Sequence, residues 1–219
     1  VAYRYRPSTF GLGVGGDFYD AFLLPDGIPA LVIGDVQGHG SRAAAMADRL
    51  RFAVRAYALE GHDPGEITAR ASRFLAHLNR DRDNSQYATC CYLTVSPSTG
   101  RVQACVAGHP RPIMISDDAP ASPLSLDAGL PLGIDPDYRY SASAFTLKRG
   151  STLLLYTDGL IERPGADLAV TTKEILRDLD DNRSADPAAM LARLRPLNDP
   201  GPRFDDIAVL AARYVGRLA

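Results

Sequence analysis

The chain has 219 residues, of which 46% are hydrophobic and 23% charged, and 24 Lys and Arg set against 26 Asp and Glu leave a formal net charge of −2. That length suits one large domain with a sizeable core, and that composition excludes a disordered chain. Near-neutral charge argues against nucleic acid or an anionic membrane as the main partner, and no apolar run reaches the roughly 18 residues of a membrane span.

The three cysteines, Cys90, Cys91 and Cys105, are odd in number and sit in strand-like stretches. They read as buried thiols of a cytoplasmic protein rather than a disulfide framework. With no Cys-x-x-Cys and only four histidines, a structural zinc site is not expected. The opening Val1-Ala2-Tyr3 suggests a domain cut from a longer protein.

Val1–Phe10 is short, basic and partly extended, and the glycine cluster Gly11–Gly16 is too flexible for a strand interior. Asp17–Leu24 reads as a strand, Pro25-Asp26-Gly27 as a turn, and Pro29–Val36 as a second strand. If they form a hairpin, Asp17 and Asp35 lie near the same end of the sheet. Ser41 to about Gly61 carries helix formers and an apolar face, with Ser41 as N-cap and Gly61 as stop. Asp63-Pro64-Gly65-Glu66 starts a second helix.

Strands follow over Ala88–Val95, Arg101–Ala107 and Ile113–Ile115, then a long loop over Asp117–Pro136. Tyr138–Leu147 and Ser151–Thr157 read as strands, Thr171–Asp181 and Asp186–Leu197 as helices, and Ile207–Tyr214 as a closing strand. Helices arrive in blocks, which predicts an α+β domain of mostly antiparallel sheets with helices outside. No repeat or low-complexity linker divides residues 1–219, so the chain reads as a single domain.

Four acids share one grammar. Asp17 follows Gly15-Gly16 and opens a strand; Asp35 closes the apolar run Ala30–Ile33 through Gly34. Asp158 closes Leu153–Thr157 and precedes Gly159, while Asp205-Asp206 precedes Ile207–Ala211. Each has a plain structural alternative: a capping Asp at Asp35, a hairpin turn at Asp158-Gly159, an edge-blunting pair at Asp205-Asp206. Convergence of all four would leave uncompensated negative charge that divalent cations would neutralise. Oxygen ligands without His or Cys favour Mg²⁺ or Mn²⁺, and two such ions form a phosphoester-hydrolysis site.

Five motifs stand in order: Val14–Asp20, Gly34-Asp35-Val36-Gln37-Gly38-His39-Gly40, Ala107-Gly108-His109-Pro110, Leu153–Glu162 and Asp205–Leu210. Together they resemble the SpoIIE/RsbU-type branch of the PP2C-like (PPM) metal-dependent serine/threonine phosphatases. The resemblance implies a four-layer α-β-β-α sandwich of two mostly antiparallel sheets flanked by helices. It also implies two Mn²⁺ or Mg²⁺ ions, with Asp35 bridging them and Asp17, the Val36 carbonyl, Asp158 and Asp205 as further ligands. Water activated by the metals would attack phosphorus directly, with Asp35 and Asp17 acting through it.

Gln37 stands where animal-type enzymes of this group carry a histidine. The secondary candidates are Asp206, His39, Gly38 and Arg111. His109 reads as a structural turn residue, His62 and His77 as helix residues, and Asp20 and Glu162 as supporting groups. In this branch the substrate is typically a phosphorylated STAS-domain anti-anti-sigma factor, and N-terminal sensor domains supply control. The Ser41–Arg82 helices can form a homodimer contact.

Two rivals remain. The first is a catalytically inactive docking or regulatory module of the same fold, binding a phosphoprotein or sensor domain. The second is a nucleotide cyclase, suggested by Gly15-Gly16-Asp17 and disfavoured because Phe18-Tyr19 replace the required Glu-Phe.

Overall fold

Strand alternation sorts the apolar residues of this chain into three layers, because successive side chains on a strand point to opposite faces. The computed structural model describes residues 1–8, 15–80, 86–163, 165–199, 201 and 205–216. One sheet contains β2 (Gly15–Leu23), β3 (Pro29–His39), β4 (Ala88–Val95), β5 (Arg101–Ala107) and β8 (Ala128–Gly129) in that order, with β9 (Ser143–Thr146) also paired to β5. The other runs β1 (Ala2–Arg6), β11 (Ile207–Arg213), β10 (Thr152–Tyr156), β6 (Ile113–Ile115) and β7 (Ser122–Pro123). Among the described residues, the strand pairings are antiparallel except β5 with β8.

The odd-numbered residues Leu31, Ile33, Cys91 and Leu93 of the first sheet meet Leu153, Leu155, Ala208 and Leu210 of the second in a core between the sheets. On the other face of the first sheet, Val32, Val36, Phe18 and Tyr92 pack against Met46, Leu50 and Leu75. Those three belong to helices α1 (Ser41–Leu59) and α2 (Pro64–Asn79). The second sheet turns Leu154, Tyr156 and Val209 onto Ile175, Leu179, Met190 and Leu191, carried by α3 (Leu168–Asp181) and α4 (Pro187–Arg193). A short α5 (Arg195–Asn198) follows. The result is the expected α-β-β-α sandwich, and each fully buried Leu or Ile contributes about 1.5–3 kcal/mol to it.

The β2–β3 hairpin forms as expected, and the strands at 88–95, 101–107 and 113–115 match their expected bounds. Asp63 caps α2, accepting from the Gly65 and Glu66 amides at 3.0 and 3.3 Å. Other local expectations are corrected. Gly15 and Gly16 lie inside β2, while residues 9–14, the rest of that glycine cluster and Val14 of the first motif, fall outside the described residues. Gly40, not Ser41, is the N-cap of α1. The helix expected over Asp186–Leu197 is two, broken at the extended Leu194, since Pro196 has no N–H for the Ala192 carbonyl and its ring would clash with it in a continuous helix. His62 lies between α1 and α2 and pairs with Glu60 at 3.0 Å. The three cysteines are free and buried. Residues 81–85, where the expected helix pair reaches Arg82, are outside the described residues.

Candidate active site

The same alternation that builds the inter-sheet core aims the acids. Asp35 shares the parity of Leu31 and Ile33, so its side chain joins the space between the sheets at their open end. It is flanked in register by Asp17 on β2 and Thr89 on β4. From the second sheet, Thr157 continues the inward parity of Leu153 and Leu155, and Asp206 that of Ala208 and Leu210. Thr157 ties the two sheets together: its Oγ1 donates to Asp17 Oδ2 at 2.8 Å and accepts from the Ala208 amide at 2.9 Å.

Asp158 begins a 3-10 turn, Asp158–Leu160, rather than a hairpin, and the Gly159 amide donates to its Oδ1 at 3.0 Å. Glu162 donates its amide to the Asp158 carbonyl at 2.7 Å. Asp20, assigned a supporting role, accepts from Arg55 at 3.0 Å.

The glycines of the motifs make room for oxygen atoms. Pairing passes from Gly15–His39 to Asp17–Asp35, so two steps on β2 oppose four on β3 and β3 bulges. Bulges beside functional sites re-aim backbone groups, and here the bulge presses the Val36 carbonyl against Gly16. A Cβ on Gly16 would collide with that oxygen and stand 2.7 Å from Asp35 Oδ1. A Cβ on Gly15 would collide with the Asp206 carboxylate, and one on Gly159 with the Asp206 carbonyl. Gly15 and Gly159, far apart in sequence, thus serve the close approach of a single residue.

Electrostatics at this end are unfavourable. Burial, then the charges of Asp158, Asp205 and Asp206, push the Asp35 carboxyl up to about 8. Asp17 is also pushed up, by burial first and Asp35 second, against the opposing Thr157 hydrogen bond. Asp158 rises through burial and the Glu162 charge, and Asp205 through burial, with Asp158 and Asp206 adding to it. Asp206 is only 4% exposed, and its Oδ1 accepts from the Ser8 amide at 2.7 Å. Asp205 is exposed and accepts from the Asp206 amide at 2.8 Å.

Among the described residues, no group of three or more His, Cys, Asp or Glu side chains is arranged to hold a metal ion as it stands. The donor set nonetheless fits a hard divalent cation. It is oxygen-only, it combines several carboxylates with the Val36 carbonyl, and Gly16 leaves space beside both that carbonyl and Asp35.

The secondary candidates separate. His39 is exposed at the end of β3, in register with Gly15, and Gly38 holds a φ of +104° in the bulged segment. Arg111 is exposed, and its Nε donates to the Leu126 carbonyl at 2.8 Å. His109 is 5% exposed and its Nδ1 lies 2.8 Å from Thr89 Oγ1. Among the described residues its Nε2 has no hydrogen bond of normal geometry, and burial pushes the ring down to about 3, so it stays neutral.

Three contributors escape a reading of the acidic motifs. Thr157 reads in the sequence only as the last residue of a strand. Thr89 carries no motif of its own. Tyr5 lies on β1, its phenol pushed up by burial and by the charges of Asp206 and Asp17. The inward parity of Thr157, immediately before Asp158, is the one sequence signal that could have found it.

Two antiparallel sheets between helix layers, with carboxylates gathered at one end, define the PP2C-type phosphatase fold. The comparisons agree. The family model described as Stage II sporulation protein E (SpoIIE) matches residues 25–215, and the chain belongs to that family of SpoIIE/RsbU-type PP2C serine phosphatases. The solved RsbU and RsbW domains of Rv1364c from Mycobacterium tuberculosis are 34% identical with a TM-score of 0.85, covering 99% of this chain and 60% of that one. The PP2C phosphatase domain of SpoIIE from Bacillus subtilis, 18% identical, matches in fold with a TM-score of 0.80 over 100% of this chain and 63% of that one. Phosphoserine phosphatase RsbP of Bacillus subtilis is 28% identical over 174 residues, covering 79% of this chain and 42% of RsbP. The chain spans less than half the length of the curated relatives it matches. Among the described residues, no helix is long and apolar enough to cross a membrane.

Proposed function

We propose that this chain is a metal-dependent phosphoserine/phosphothreonine protein phosphatase, with Asp17, Asp35, the Val36 carbonyl, Asp158 and Asp205 as ligands of two Mn²⁺ or Mg²⁺ ions. The observation that carries this reading is the placement of Asp17 and Asp35 directly opposite each other in half-buried positions beside the Val36 carbonyl. Asp17 is pushed up by burial and by Asp35, and Asp35 by burial and by Asp158, Asp205 and Asp206. A fold keeps such a pair only where a cation or a reaction uses it. When bound, divalent cations supply Lewis-acid activation of water and neutralise charge on the phosphoryl oxygens.

The residues of the chain do the rest. Asp35 holds a proton near neutral pH and would have to give it up to hold a cation, so cation binding would be coupled to proton release. Thr157 fixes the rotamer of Asp17 through the 2.8 Å hydrogen bond. Gly16 allows the Val36 carbonyl and Asp35 to face one space. Asp206 is a structural tie to the segment that follows β1, through the Ser8 amide, with Asp205 the freer carboxylate of the pair. His39, Gly38 and Arg111 stay outside the proposed ligand set.

The test is hydrolysis of p-nitrophenyl phosphate and of a phosphoserine peptide with added Mn²⁺ or Mg²⁺ against chelator, repeated with Asp35→Ala. Activity that needs the cation and is lost in the variant is expected. Absence of cation-dependent hydrolysis on both substrates would refute the reading.

The name phosphoserine phosphatase borne by RsbP supports a phosphoserine substrate. We propose a STAS-domain anti-anti-sigma factor as that substrate, acting in the cytoplasm. We further propose that residues 1–219 form one domain at the C-terminal end of a longer protein under N-terminal sensor control. A homodimer through the α1–α2 helices is supported by the exposed stripe Ala45, Arg49, Phe52, Ala56 and Leu59. Its alternating spacing of four and three is that of a coiled-coil seam, and Phe52 is 59% exposed.

A further inference from the structure

Both sheets end, on one side of the sandwich, in an edge strand: β1 in one and β2 in the other. Between these edges and α1 lies a cleft of about 510 Å³. Tyr3 and Tyr5 from β1 with Phe18 and Tyr19 from β2 form an aromatic part of its wall, beside Ala44 of α1 and the charged side chains of Asp20, Asp48 and Arg51. The inner end reaches Gly15 and Asp17, so the cleft opens directly onto the carboxylate site. The Tyr3 and Tyr19 rings stand 5.2 Å apart at 39°, bridging the two sheets at the mouth.

Apart from Asp17 at the inner end, the charges lining the cleft are paired within the chain. Arg51 pairs with Asp48 at 2.9 Å and lies 4.5 Å over the Phe52 ring; Asp20 pairs with Arg55 at 3.0 Å. An incoming phosphate would have to take Arg51 from Asp48 while facing the carboxylates of Asp17, Asp20 and Asp48. A large apolar side chain breaks none and gains aromatic contact. The volume falls within the range typical of ligand sites. Tyr3 is 64% exposed on a strand, a rigid aromatic of the kind that dominates binding energy at interfaces.

Resting on the phosphatase reading above, we infer that this cleft is a specificity subsite of the same site: it receives a large apolar or aromatic side chain of the phosphoprotein substrate, close in sequence to the phosphoserine. Continuity with Asp17 selects this occupant. A side chain seated there is held next to the carboxylates that face the phosphoryl group, so its binding energy positions the reacting centre.

The test compares phosphoserine peptides that differ only in one flanking residue, Ala against Tyr or Leu at each position on either side. Hydrolysis and peptide binding by fluorescence anisotropy are both measured. The wild type should prefer the apolar flank at one position by about tenfold in kcat/KM, with matching tighter binding. Tyr3→Ala, and Ala44→Leu, which fills the cleft, should each erase that preference. Both should leave hydrolysis of p-nitrophenyl phosphate unchanged, and Tyr3→Phe should retain the preference. A wild type with no flank preference overturns the inference, as do variants that keep the preference or lose p-nitrophenyl phosphate hydrolysis equally. Preference for an acidic or basic flank overturns it in favour of a charged occupant. A wild type inactive on every substrate refutes the phosphatase reading instead, and the binding series still decides the cleft.

Discussion

Replacing Asp35 by Asn should stabilise the domain in chelator while abolishing its activity. The Asp35 carboxyl is pushed up to about 8 from an ordinary value of 3.8, so the folded state retains a proton that the unfolded chain has released at neutral pH. A raised acid leaves stability intact below the unfolded value and removes it as pH rises through the folded one. At about 1.4 kcal/mol per unit of separation, the cost grows from small near pH 4 to about 4 kcal/mol at pH 7 and flattens above pH 8. Asn keeps the shape and carries no charge. For a chain of this size the variant should melt roughly 5–15 °C higher at pH 7. The assay is thermal unfolding by circular dichroism near pH 4.5, 7 and 8.5, with chelator and with excess Mn²⁺. Saturating Mn²⁺ should raise the wild-type midpoint by mass action and leave the variant little changed. A variant no more stable than wild type in chelator at pH 8.5, or an advantage that fails to shrink toward pH 4.5, would refute the electrostatic reasoning.

Gly16→Ala places a methyl against the Val36 carbonyl and 2.7 Å from Asp35 Oδ1; it should cost about 1–3 kcal/mol in a urea titration and remove cation-dependent activity. Thr157→Val deletes the donor to Asp17 and leaves the Ala208 amide without its acceptor. It should cost about 1–3 kcal/mol and weaken Mn²⁺ binding in a calorimetric titration, with Thr157→Ser restoring both. His109 is pushed down to about 3 by burial, so its contribution is complete above the ordinary imidazole value and is lost as pH falls toward 3. At pH 5 that loss is about 2 kcal/mol, and urea midpoints of His109→Asn should fall less steeply between pH 7 and pH 5 than those of the wild type.

The layers were legible because period-two alternation in Leu31–Asp35 and Leu153–Thr157 reports which face is buried on both sides. The hairpin was legible because Pro25-Asp26-Gly27 permits little else. The first strand was not, since Tyr3 and Tyr5 stand in register with the inward residues Leu210 and Ala208 while Arg4 and Arg6 keep its composition basic, and its pairing with β11 spans nearly the whole chain. Long-range pairing leaves no local pattern to read. In the site, acids at strand ends could be found one by one, but the bulge that sends Val36 toward Gly16 could not. It depends on β2 and β3 advancing unequally, and neither strand alone encodes that. The glycines shared by Asp206 were hidden for the same reason: Gly15 and Gly159 look like turn formers until a third segment is placed between them.

Within the cores, propensity, alternation and burial agree, as they do in a minimally frustrated fold. At the open end they conflict: Asp17 stands opposite Asp35, where like charges destabilise a strand pair, and Asp158, Asp205 and Asp206 add charge of the same sign. Packing does not require a single one of these carboxylates, because the apolar residues behind them already fill the inter-sheet core. Stability alone would replace them with neutral residues, which is the outcome expected for Asp35→Asn. Their retention at a place where three glycines have been fitted around their oxygen atoms therefore argues for selection on chemistry. The position where local rules fail together, rather than any single motif, marks the reacting end of the molecule.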